Sequence, residues 1–95
     1  MLFVWIAKQK ESASGAELIT RRAQWEPVEG TKILGEYWLN TNDPNLPSVI
    51  VIFEAEDIAG MMQNFVAWDD AYDITIVPAV SAEEGLQLAQ QMMDQ

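Results

Sequence analysis

The sequence predicts an α+β fold in which helices lie against one face of a four-stranded antiparallel sheet. Three observations predict it. Strand-like apolar runs at 2–7, 32–39, 49–53 and 73–80 alternate with helical patterns at 15–25 and 57–68, and a third helical pattern follows from 82. Hydrophobic residues make up 49% of the chain and charged residues 21%, a balance that folds rather than staying disordered. The 95 residues suit one domain, 1–95, with no linker or repeat dividing them.

Each element has a local cause. Residues 2–7 are β-branched or aromatic and apolar on both alternation faces: Leu2, Val4 and Ile6 on one, Phe3, Trp5 and Ala7 on the other. Ser14-Gly15-Ala16-Glu17 fits a capping box that opens the first helix, whose apolar stripe of Leu18, Ile19 and Ala23 is modest. Pro27 and Gly30 punctuate its exit. In the second strand Gly35 marks a bulge or a close backbone approach. Asn40 to Pro47 is rich in turn residues. Val49-Ile50-Val51-Ile52-Phe53 is apolar throughout, as a strand buried on both faces would be. Acids at Glu54, Glu56 and Asp57 precede a second helix carrying Ile58, Met61, Met62 and Phe65 at helical spacing. The fourth strand ends at Pro78 or shortly after. Ser81-Ala82-Glu83-Glu84 opens a C-terminal helix with Ala82, Leu86, Ala89 and Met93 on one stripe.

The order β-α-β-β-α-β is that of the ferredoxin-like arrangement, here with an extra C-terminal helix. Helices on one face leave the other bare. That second face would expose Trp5, Ile50 or Val51, Ile52 or Phe53, and Val77 or Ile76. An apolar patch of that size marks an interface. A second copy packed sheet to sheet, as a dimeric α/β barrel, would cover it; the C-terminal helix lying over the open face is the alternative.

Composition removes several function classes. Five Lys+Arg against fifteen Asp+Glu give −10, which disfavours nucleic acid and anionic membrane surfaces. With no Cys there is no thiol catalysis or thiolate metal site, and with no His the commonest general base and metal ligand are gone. No phosphate-binding glycine loop or nucleophile elbow is present. The acids at Asp69, Asp70 and Asp73 form a cluster without a calcium-loop pattern, so no metal and no cofactor are expected. The apolar start breaks at Lys8 without a basic leader, and it reads as a strand of a cytoplasmic protein. Charge is divided unevenly: residues 1–35 hold five bases and four acids (+1), and residues 36–95 hold eleven acids and no base (−11).

The run Pro27-Val28-Glu29-Gly30-Thr31-Lys32-Ile33-Leu34-Gly35-Glu36-Tyr37-Trp38 resembles a pattern of the small proteins grouped as domain of unknown function 3303. Phe53-Glu54-Ala55-Glu56-Asp57, Trp68-Asp69-Asp70, the run from Asp73 to Val80 and Glu83-Glu84 match it in order and spacing. The resemblance implies a ferredoxin-like dimeric α/β-barrel fold and brings no established activity. Relatives often carry Arg, Trp and His where this chain has Glu36, Tyr37 and Trp38, so imidazole chemistry is absent here.

The candidate ligand-binding residues are Trp5, Tyr37, Trp38, Glu54 and Trp68; no catalytic residue is assigned. Aromatic walls supply area for a flat apolar ligand, and a phenol, indole or carboxylate supplies direction. Tyr37 and Trp38 are adjacent on one strand, so they face opposite ways, and a bulge at Gly35 decides which faces where. The expected function is non-enzymatic binding of a small apolar or aromatic ligand, or of a protein, through the barrel interior of a homodimer. The alternative is a cofactor-independent enzyme similar to the small dimeric α/β-barrel monooxygenases, for which Trp5, Tyr37, Asn64 and Trp68 offer comparable residue types.

Overall fold

The structure is a computed structural model that describes residues 1–94. Seven elements follow the expected order: β1 (Leu2–Gln9), α1 (Gly15–Gln24), β2 (Thr31–Trp38), β3 (Val49–Ala55), α2 (Ile58–Trp68), β4 (Tyr72–Ala79) and α3 (Ala82–Met93). The strands form one antiparallel sheet in the order β2-β3-β1-β4, the ferredoxin-like topology. The helices start where side-chain caps stop their backbone N–H groups from being orphaned. Ser14 Oγ accepts from Glu17 N, Asp57 Oδ1 from Ala59 N, and Ser81 Oγ from Glu84 N. β4 ends at Ala79, one residue past Pro78, as expected; it is an edge strand, where a missing N–H is tolerated.

Alternation sends Phe3, Trp5 and Ala7 of β1 and Val51, Phe53 and Ala55 of β3 to the helix side, where all six are buried with Met61 and Trp68 of α2. Trp5 therefore belongs to the helix-side core and not to the bare face, a correction to the sequence expectation. The opposite face carries Leu2, Val4 and Ile6 in register with Ile50, Ile52 and Val77. Of the paired alternatives, Ile50, Ile52 and Val77 are thus the ones left facing outward. No element of the described chain covers them. α3 does not lie over this face; every residue in it but Gly85 is exposed. Among the described residues no helix is long and apolar enough to cross a membrane.

Candidate functional site

α1 buries only Leu18, and Ile19 beside it stays 58% exposed. With so thin an apolar stripe the helix stands off the sheet, and a half-open cleft of about 240 Å³ remains between them. The volume is slightly below the ~300 Å³ at which drug-sized sites begin, so it suits a single ring or a fused pair. Its walls hold all four tryptophans of the chain, Trp5, Trp25, Trp38 and Trp68, with Phe53 and Tyr72. The rings support one another. Trp5 lies 5.6 Å from Phe53, and Trp68 meets Trp25 edge-on at 5.5 Å and Tyr72 at 5.9 Å, within the favourable range for aromatic pairs.

One polar network closes the mouth. Arg22 Nε donates to both oxygens of Glu36, at 3.1 and 3.0 Å, and Arg22 Nη2 donates to Glu36 Oε1 at 2.6 Å. Trp38 Nε1 donates to Glu36 Oε2 at 2.8 Å, and Arg22 Nη1 donates to the Trp25 carbonyl at 3.2 Å. Hydrogen bonding from Arg22 holds the Glu36 carboxyl below the usual range, against the effect of burial. The Arg22 guanidinium is raised in turn by the same bonds. Burial, reinforced by the nearby Glu36 charge, raises the half-buried Tyr72 phenol. At neutral pH the cleft therefore holds one fixed ion pair, of no net charge, and a neutral phenol.

Glu36 reaches this position because β2 carries an irregularity. Ile33 pairs with Phe53, but Gly35 pairs with Ile52, so Leu34 is an inserted residue. The insertion puts Ile33, Glu36 and Trp38 on the helix side and Gly35 and Tyr37 on the bare side. The Tyr37 ring lies over Gly35, with its hydroxyl 3.0 Å from where a Cβ would stand. Trp5, Trp38 and Trp68 of the expected set thus line one cleft. Tyr37 and Glu54 lie elsewhere, both on the bare face; Glu54 is exposed and accepts from the Met1 amine at 3.4 Å. Asn64 is wholly buried but does not line the cleft. Its amide donates to Thr31 Oγ1 and its oxygen accepts from Val28 N, both at 3.0 Å, which staples the α1–β2 connection to α2.

Arg22, Trp25, Glu36 and Tyr72 are site residues that the sequence reading passed over. The bulge marked at Gly35 was the one available signal: plain alternation puts Glu36 opposite Ile33, and one inserted residue brings it to the same face. Of the acids near the end of α2, Asp70 serves a structural pair. Arg21 donates to both oxygens of Asp70 at 3.1 and 2.9 Å, donates to the Ala67 carbonyl, and stacks 4.5 Å from the Trp68 ring centre. It thereby ties α1 to the C-terminus of α2, where a cation is favoured. Among the described residues no three acidic side chains converge as a metal site.

A family model described as Domain of unknown function (DUF3303) matches residues 1–93. The chain belongs to that family. No curated protein and no solved structure matches it.

Proposed function

We propose that this DUF3303 protein is a homodimeric binding protein that takes a small, flat, neutral, largely apolar ligand in the cleft between α1 and the sheet. The observation that carries the reading is the gathering of all four tryptophans around about 240 Å³ of half-open space, with a single ion pair at its mouth. A ligand ring would take over the area that the rings now show to water, and the open valences of the network would orient it. Arg22 has N–H groups not used by Glu36 or Trp25, and among the described residues no hydrogen bond occupies the Tyr72 hydroxyl. General-base catalysis would need a free base here. Glu36 is a poor one, because three N–H donors stabilise its charged form. Binding without turnover is the simpler use of such a site.

The homodimer rests on the bare face. Its apolar centre is flanked by Lys8 and Lys32 against Glu54 and Asp73, the charged residues that the strands carry on that side. This face is electrically balanced in a chain of net charge −10. Two copies repel least when they meet here, and the apolar patch gives them reason to meet. Sedimentation at micromolar concentration should give a particle of twice 10.7 kDa; a stable particle of 10.7 kDa would overturn the dimer.

The cleft is tested by titrating neutral bicyclic aromatics such as 2-naphthol while following tryptophan emission and thermal unfolding. Saturable quenching with a raised Tm is expected; ligand at 100 Kd adds about 2.7 kcal/mol. Val49→Phe, which fills cleft space from β3, should weaken the quenching at least tenfold. A titration curve left unchanged by Val49→Phe would remove the cleft as the binding site.

A further inference from the structure

The chain as a whole is not compact. Its principal extents are 52 × 32 × 17 Å and its radius of gyration is 15.5 Å, against about 12.4 Å for a compact chain of this length. α3 accounts for the excess. It has no buried residue, and Leu86, Met92 and Met93 are 72%, 75% and 83% exposed. Yet its sequence is that of a packed helix. Leu86, Leu88, Ala89, Met92 and Met93 share an arc of the surface, while Glu83, Gln87, Gln90 and Gln91 occupy the other side. Twelve residues alone in water make a marginal helix, so packing must support it.

We infer that α3 is an exchanged arm, which docks its apolar side on the second copy of this chain and completes the dimer interface. This rests on the homodimer reading above. Two observations select a second copy as the occupant. The first is area. Four strands about 4.8 Å apart, each about 26 Å long, give a face of only about 500 Å². A stable interface takes about 800 Å² from each partner. A twelve-residue helix is about 18 Å long and 10 Å wide, so it covers about 180 Å². Because the exchange is reciprocal, each copy gives one helix face and receives another. That adds about 360 Å² to each copy and reaches the size a stable dimer takes. The second is continuity. The arm follows the edge strand β4 after two residues, and a Val80 methyl lies 3.6 Å from where a Cβ on Gly85 would stand. The arm thus leaves the edge of the sheet whose bare face a second copy would cover, and a partner there has it within reach.

The test keeps the chain whole. Leu86→Gln/Met92→Gln/Met93→Gln leaves the net charge at −10 and uses a residue that favours helix. Sedimentation equilibrium of parent and variant should show a dimer for the parent and self-association at least 100-fold weaker for the variant. An independent reading needs no substitution. Met92 and Met93 should oxidise slowly with peroxide when the parent is concentrated and faster on dilution below its dimer Kd. A parent dimer whose variant associates as tightly overturns the arm and leaves the dimer standing. So does a parent dimer whose Met92 and Met93 oxidise at a rate independent of concentration. A monomeric parent overturns both readings and assigns the apolar surface to a different protein or to lipid.

Discussion

Glu36 shows how a single inserted residue builds a site. Without the insertion of Leu34 it would lie on the bare face beside Tyr37's neighbours, and Arg22 would have no carboxylate in reach. With it, a side chain only 17% exposed meets a guanidinium that is 31% exposed. The pair sets an acid limb on stability. The folded-state pKa of Glu36 lies below its ordinary value of 4.5, chiefly through the Arg22 hydrogen bonds. A carboxyl lowered by folding stabilises the protein fully above its unfolded pKa, and that contribution is lost as pH falls through the folded value. Glu36→Gln should therefore flatten the loss of stability below about pH 4.5. Arg22→Met should cost about 1–3 kcal/mol at neutral pH, with a smaller deficit at pH 4 where Glu36 can take up a proton. Equal deficits at both pH values in chemical unfolding would show that the pair does not carry the acid limb. The bulge itself was legible at Gly35. Its consequence was not, because alternation names two faces and a one-residue insertion exchanges them.

At the scale of elements, strand and helix order could be read because local causes agree: β-branched runs, three caps and well-placed turn residues. The separation of α1 from the sheet could not, since it arises from the sparse apolar stripe of one helix meeting four strands that the sequence does not position. One close approach is between α2 and the start of β2. A Cβ on Gly60 would stand 2.8 Å from the Thr31 methyl. Thr31 cannot turn that methyl away freely, because its hydroxyl donates to the Val28 carbonyl at 2.7 Å and accepts from Asn64 at 3.0 Å. Alanine in a helix gains about 1 kcal/mol over glycine, and overpacking costs about 1–3 kcal/mol. Gly60→Ala should therefore destabilise the parent. In a Thr31→Ser background the methyl is gone and the hydroxyl remains, so the same change should stabilise by up to about 1 kcal/mol. The sign change in urea midpoints is the measurement; the same sign in both backgrounds would refute the close approach as its cause.

For the whole molecule, fifteen acids face five bases, and every residue with a basic side chain lies at or before Lys32. Three ion pairs join described residues: Arg21–Asp70, Arg22–Glu36 and the Met1 amine with Glu54. Salt acts on the two classes of interaction in opposite directions. It weakens the exposed Arg21–Asp70 and Met1–Glu54 pairs, and it hardly reaches the shielded Arg22–Glu36 pair. It also weakens repulsion among the unpaired acids, which act over the whole 52 Å length of the chain. At 0.01 M the screening length is about 30 Å and most acids repel; at 0.15 M it is about 8 Å and only neighbours do. Repulsion has more partners and longer reach, so its relief should win. Tm should rise as sodium chloride goes from 0.01 to 0.15 M, and self-association, which brings two chains of −10 together, should tighten over the same range. If the exposed pairs mattered more than the acid excess, Tm would fall instead, and the electrical balance of the bare face would lose its force as a reason for the two copies to meet there.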